Sequence, residues 1–174
     1  MGEAERAELQ RWTREQLFEA GTLLTDEEEG SIEIADFGLG QLTRIGLQLL
    51  TYVNTERVCA KEIVLRPRQI CPEHRHPDVG AEPGKEETFR CRRGTVLVYV
   101  EGEPTAEPLC DLTSVEREGF TAWHQVVLEP GDQFTVFPNT RHWFQAADEV
   151  AVLSEFSTRS TDGHDIFTDA RIVR

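Results

Sequence analysis

The residues that could do chemistry gather in "CPEHRHPDVGAEPGKEETFRCRRG", residues 71–94. His74 and His76 stand two apart, on a segment entered from the β-prone run "EIVLRPRQI". On a strand, residues i and i+2 project from the same face, so both imidazoles can reach one ion. Glu87 opens the next strand-like segment, Gly94 closes it at a turn, and His142 heads a later segment after "FPNTR". Three imidazoles and one carboxylate suit a borderline divalent cation such as manganese, iron, cobalt, nickel or zinc. The competing reading is a solvated surface hairpin, because an isolated His-x-His pair is often an accident of surface strands. His124 and His164 are not expected to be ligands: one precedes "QVVLEP", and the other sits in the turn "DGHD".

These groups need a scaffold. The 174 residues, 39% of them hydrophobic, are enough for one domain with a full core and few for two. Lys and Arg number 18 against 32 Asp and Glu, a net charge of −14. That balance argues against nucleic acid and anionic membranes as partners, since it cannot neutralise a row of phosphates. No apolar run approaches the roughly 20 residues of a membrane span, and "MGEAERAELQRW" is too acidic for a secretion signal. The four cysteines (Cys59, Cys71, Cys91 and Cys110) form no Cys-x-x-Cys pair, consistent with reduced thiols and a cytoplasmic location.

Along the chain, residues 3–20 read as an amphipathic helix with Leu9, Trp12, Leu17 and Ala20 near one face and Gly21 as its stop. "TDEEEG" (25–30) reads as a solvated acidic loop. From residue 31, short segments rich in Ile, Val, Leu, Thr and aromatics alternate with Gly/Pro/Asp turns, the pattern of an all-β sandwich or barrel. "LEPGDQFTVFP" reads as a hairpin with Pro130, Gly131 and Asp132 at its corner. The expected division is 1–30 as a helix and acidic loop packed on a barrel made by 31–174. Phe89 and Cys91 share the alternation of Glu87 and should face the barrel interior, whereas Glu86 should turn away. Trp143 and Phe144 are expected in the core, and Arg90, Arg92 and Arg93 in solvent.

Taken together, these features resemble the two signature motifs of the cupin superfamily: His74, His76, Glu87 and Gly94, then Gly131, Pro138 and His142. The resemblance implies an all-β, cupin-type double-stranded β-helix (a jelly-roll barrel) with an N-terminal helix, the metal sitting in the barrel mouth. The six residues between Glu87 and Gly94 select Glu87 over Glu86 as the ligand. Two spacings depart from the general pattern. Ten residues, "PDVGAEPGKE", separate His76 from Glu87, and "PNTRH" is one residue short with Thr140 where glycine is common.

The long insertion before "KEETFRCRRGTVLVYVEGEPT" and the later "LSEFSTRSTDGHDIFTDARI" are similar to the D-lyxose ketol-isomerases, small cupin sugar isomerases. That resemblance implies manganese on His74, His76, Glu87 and His142, proton transfer by Lys85 and Glu155, and Asp165 near the sugar. Phe89 and Arg171 are further candidates for substrate contact, although Asp169 and Arg171 could instead cap the last strand. It also implies a monosaccharide substrate and a homodimer. The chemistry is coherent. Isomerisation moves one proton between C2 and C1 and another between the two oxygens, so the enediolate needs a Lewis acid and a positioned base. Glu155, in "VAVLSEFS", is a glutamate within a hydrophobic strand, and Lys85 could shuttle the oxygen-bound proton. The alternatives are a cupin dioxygenase with the same three-His, one-Glu set and a non-catalytic metal-stabilised sugar-binding cupin. The long insertion, Lys85 and Glu155 favour the isomerase.

Overall fold

A computed structural model describes residues 1–172; the last two residues of the expected barrel segment lie outside the described residues. The chain begins with helix α1 (Glu3–Glu19), which ends where Gly21 takes a positive φ of 86°. The expected acidic loop is instead a short helix, α2 (Asp26–Ser31). Its cause is local: the Thr25 side chain accepts from the Glu28 backbone N–H while Glu28 bonds back to the Thr25 N–H. The acidic first turn then faces the positive end of the helix dipole.

Eleven strands follow among the described residues: β1 (Glu33–Ala35), β2 (Leu47–Asn54), β3 (Cys59–Leu65), β4 (Ile70–Arg75), β5 (Glu87–Arg93), β6 (Val96–Val100), β7 (His124–Leu128), β8 (Gln133–Val136), β9 (His142–Ala146), β10 (Ala151–Ser157) and β11 (Ile166–Phe167). A short helix, α3 (Ser114–Glu118), interrupts the long β6–β7 connection. The strands form two antiparallel sheets, ordered β1-β2-β3-β10-β5-β8 and β11-β4-β9-β6-β7. This is the mostly-β sandwich that the cupin resemblance implies.

One expectation fails. β7 and β8 are not a hairpin, because β7 pairs with β6 in one sheet and β8 with β5 in the other. The Pro130-Gly131 turn is real, but it carries the chain across the sandwich: Gly131 N–H bonds to Cys91 O, and Cys91 N–H to Asp132 O. A turn signal marks a change of direction and does not say which sheet the chain joins next.

Alternation sorts each strand into an inner and an outer face. Ile63, Leu65, Phe89, Cys91, Val98, Phe144 and Leu153 meet in the core between the sheets. The other face of the six-stranded sheet packs Val64 and Val152 against Leu9 and Leu17 of α1. The other face of the five-stranded sheet packs Tyr99 and Trp143 against Phe120. The Trp143-Phe144 pair is therefore split, with Trp143 in the outer cluster and Phe144 inside.

Candidate metal centre and its carboxylate–lysine wall

The two histidines of the opening motif owe their aim to a bulge. Cys71 on β4 faces the inner core, but the β4–β9 register shifts between Cys71 and His74. The extra residue changes parity, so His74 and His76 point inward while Glu73 points out. Glu73 is buried there and accepts hydrogen bonds from Thr121, Ala122 and Thr168, tying the loop before β7 and the C-terminal segment to β4. His142 starts β9 directly opposite His74, and Glu87 enters from β5 in the facing sheet. Candidate ligand atoms of His74, His76, Glu87 and His142 all lie within 4.8 Å of one another, and all four residues are buried.

Each imidazole has its Nδ1 engaged outside this cluster. His74 Nδ1 bonds to Pro72 O at 2.8 Å, His142 Nδ1 to Thr140 O at 2.9 Å, and His76 Nδ1 to Asp165 Oδ1 at 2.6 Å. An Nδ1 that donates outward leaves Nε2 as the lone-pair nitrogen, the tautomer a metal needs. His142 Nε2 is buried and has no hydrogen-bond partner, although it lies 2.8 Å from Glu87 Oε1, because that approach fails hydrogen-bond geometry. An orphaned buried nitrogen aimed at a carboxylate and two further imidazoles fits a cation ligand. This group can hold a divalent cation.

Electrostatics agree. Burial drives the His74 pKa well below its usual 6.5, reinforced by His142 and His76. Burial also opposes charge on His76, but Glu87 and Asp165 outweigh it and raise that pKa to about 9. Burial alone would raise Glu87, yet Lys85 and His76 pull its carboxyl well below the usual range. Glu87 is thus a ready anionic ligand, and a cation arriving at His76 must displace a proton.

Beside the tetrad stands a wall of charges. Lys85, only 4% exposed, approaches Glu87 Oε2 at 2.7 Å and donates to Glu155 Oε1 at 3.1 Å and Asp162 Oδ1 at 3.3 Å. The ten-residue insertion delivers it. Asp78 caps the Gly84 N–H at 3.0 Å, and the Gly84 backbone lies so close to His76 O that a Cβ would overlap it. Gly84 and Lys85 are consequently buried while Glu86 is exposed. Glu155 projects inward from β10 on the parity of Ala151 and Leu153, with Phe89 as its register partner on β5.

Of the other candidates, Phe89 and Asp165 line the same cavity as His74, His76, Lys85, Glu87 and Glu155. Arg171 does not line it: it is exposed and paired with Asp169 through Nε and Nη2. Lys61 and Asp162 line the cavity without having been singled out in the sequence. The signal for Lys61 was available, because a lysine interrupts the inward apolar parity of Cys59, Ile63 and Leu65. Asp162 sits in a 3₁₀ turn (Asp162–His164) whose path over the site has no local signature. His124 is exposed and bonds to Glu103 O, and His164 lies outside the tetrad.

The sequence model of the D-lyxose isomerase family matches residues 8–174. This chain belongs to that family. It is 56% identical over 167 residues to a D-lyxose/D-mannose isomerase of Thermosediminibacter oceani, covering 96% of this chain and 92% of that protein. It is 57% identical over 151 residues to a D-lyxose ketol-isomerase of a Thermofilum species, covering 87% and 84% respectively. Among solved structures, the L-ribose isomerase of Cellulomonas parahominis superposes with a TM-score of 0.81 at 16% identity, over 99% of this chain and 94% of that one. That likeness supports the fold. In this chain the insertion "PDVGAEPGKE" carries Lys85 into the wall of the cavity.

Proposed function

We propose that this chain is a metal-dependent aldose–ketose isomerase that interconverts D-lyxose and D-xylulose, and also D-mannose and D-fructose, through a cis-enediol. The observation that carries the reading is the Lys85–Glu155 pair, joined at 3.1 Å inside the cavity lined by His74, His76 and Glu87 of the metal-binding tetrad. A divalent cation on His74, His76, Glu87 and His142 would supply Lewis-acid polarisation of the sugar's C1 and C2 oxygens. Glu155 exchanges the proton between C2 and C1, while Lys85 hydrogen-bonds the oxygen on which negative charge develops and relays the second proton between O2 and O1. Phe89 packs against the reacting end of the sugar. Asp165 holds the His76 ring, and this assignment replaces direct sugar contact as its main role. Arg171, already paired with Asp169, is left without a part in the reaction.

An oxygenase needs no ammonium wedged between the ligand glutamate and a second carboxylate, and a binding module needs no proton-transfer pair. Asp162, held by Lys61, Lys85 and Ser160, lines the cavity that a pentose would enter. We assign manganese as the cation and the cytoplasm as the compartment, the latter supported by four free cysteines. No helix among the described residues is long and apolar enough to cross a membrane. We also assign a homodimer, supported by exposed Val53 and Phe156, which flank Ala60 across three adjacent strands. Chelator-stripped protein supplied with manganese should convert D-lyxose to D-xylulose; a fully metal-loaded protein that leaves D-lyxose unchanged refutes the assignment.

A further inference from the structure

Lys61 is a buried ammonium to which the reaction as written gives no part. It projects from β3, and its register partner on β10 is Glu155. Its Nζ lies 3.4 Å from Glu155 Oε1, 2.8 Å from Asp162 Oδ2 and 3.2 Å from Ser160 Oγ, with the side chain 4% exposed. Lys85 meets the same Glu155 oxygen, Oε1, at 3.1 Å. The two lysines reach it by different routes. Lys85 arrives on the Pro77–Glu86 loop, whereas Lys61 and Glu155 sit opposite each other on two central, hydrogen-bonded strands.

A buried lysine on the inward parity of Ile63 and Leu65 is an expensive way to fill a strand position, because an apolar side chain there carries no desolvation cost. What it supplies is a fixed charge on a rigid element, aimed at one oxygen of one carboxylate. We propose that Lys61 is a positioning residue for the isomerisation, holding Glu155 Oε1 so that the other oxygen, Oε2, is presented to the sugar carbon. This rests on the isomerase reading above. Among the described residues Lys61 makes no hydrogen bond or ion pair with the metal-binding tetrad, but it shares Glu155 and Asp162 with Lys85, so bound metal is measured on every variant. Misplacing a reacting group by about 1 Å costs on the order of 10²-fold in rate.

The test is steady-state kinetics on D-lyxose with manganese-loaded wild type, Lys61→Met and Lys61→Arg, with bound metal measured on each. Lys61→Met is expected to lose about 10²-fold in kcat with KM within about threefold and metal content unchanged. Lys61→Arg, which keeps a cation in place, is expected to recover at least about tenfold of that loss. A Lys61→Met protein with wild-type kcat overturns the proposal, as does a loss confined to KM. Should Lys61→Met not fold, Lys61→Gln is read in the same way; if neither neutral variant folds, Lys61 serves the fold and the proposal falls. Inactive, metal-loaded wild type overturns the isomerase reading itself, whereas active wild type with unimpaired variants overturns only the role of Lys61.

Discussion

Asp165→Ala separates two roles for one carboxylate. The family resemblance implies a residue near the sugar, but in the fold its Oδ1 accepts from His76 Nδ1 at 2.6 Å, with both side chains 2% exposed. A carboxylate behind a ligating histidine fixes the ring and raises its basicity, and its loss typically lowers metal affinity about 10–100-fold, or about 1.4–2.7 kcal/mol. A second effect runs the other way. In the metal-free protein Asp165 helps Glu87 hold the His76 pKa at about 9, so at neutral pH an incoming cation must displace a proton. Removing Asp165 relieves part of that competition. The affinity deficit of Asp165→Ala should accordingly be largest above about pH 9 and smaller near pH 7. Manganese titration against a competing chelator at both pH values measures it. Unchanged metal affinity at the higher pH, with a raised KM for sugar, would refute the reasoning and return Asp165 to the substrate.

The same ionisations predict how stability varies with pH once the metal is stripped. His76 is held above its ordinary 6.5 at about 9, so the stability it contributes is complete below pH 6.5 and lost as pH rises through about 9. That loss is worth up to about 3 kcal/mol. His74 acts oppositely: its lowered pKa contributes stability above 6.5 that is lost as pH falls below it. The thermal midpoint of chelated protein should peak near about pH 6.5, and a midpoint that climbs steadily to about pH 9 would contradict these assignments. Gly84→Ala sets a Cβ against His76 O and should shift the loop bearing Lys85, lowering kcat/KM at least about tenfold while circular dichroism stays β-rich. Phe144→Ala removes an inner-core ring packed on Phe89 at 5.1 Å, and denaturant unfolding should register a loss of about 3–5 kcal/mol.

Much of the candidate site was legible because metal chemistry constrains residue type and strand geometry constrains spacing. His74 and His76 share a face as i and i+2, and Glu87, Phe89 and Cys91 share one as their alternation requires. The bulge that turns the histidines inward has no local signature, since a parity change depends on the partner strand. Lysine is ordinarily a surface residue, which masks Lys61 even though its parity on β3 is that of Ile63 and Leu65. Asp162 depends on how the C-terminal segment is strapped to β4 through Glu73 and Thr168, a contact between residues far apart in sequence. The failed β7–β8 hairpin has the same origin, because local turn chemistry specifies direction and long-range pairing specifies the sheet. The acidic stretch at 25–30 was readable as a helix start, given Thr25 followed three residues later by Glu28.

The central claim is that the tetrad holds the cation while Glu155 carries the C2–C1 proton, and turnover by Glu155→Gln tests it most directly. The substitution keeps the side chain's size and removes its capacity as a base, on a residue that lies outside the cation-binding set. Manganese binding should equal that of the wild type, and kcat on D-lyxose should fall about 10²–10⁴-fold. Near-wild-type turnover by metal-loaded Glu155→Gln would contradict the account.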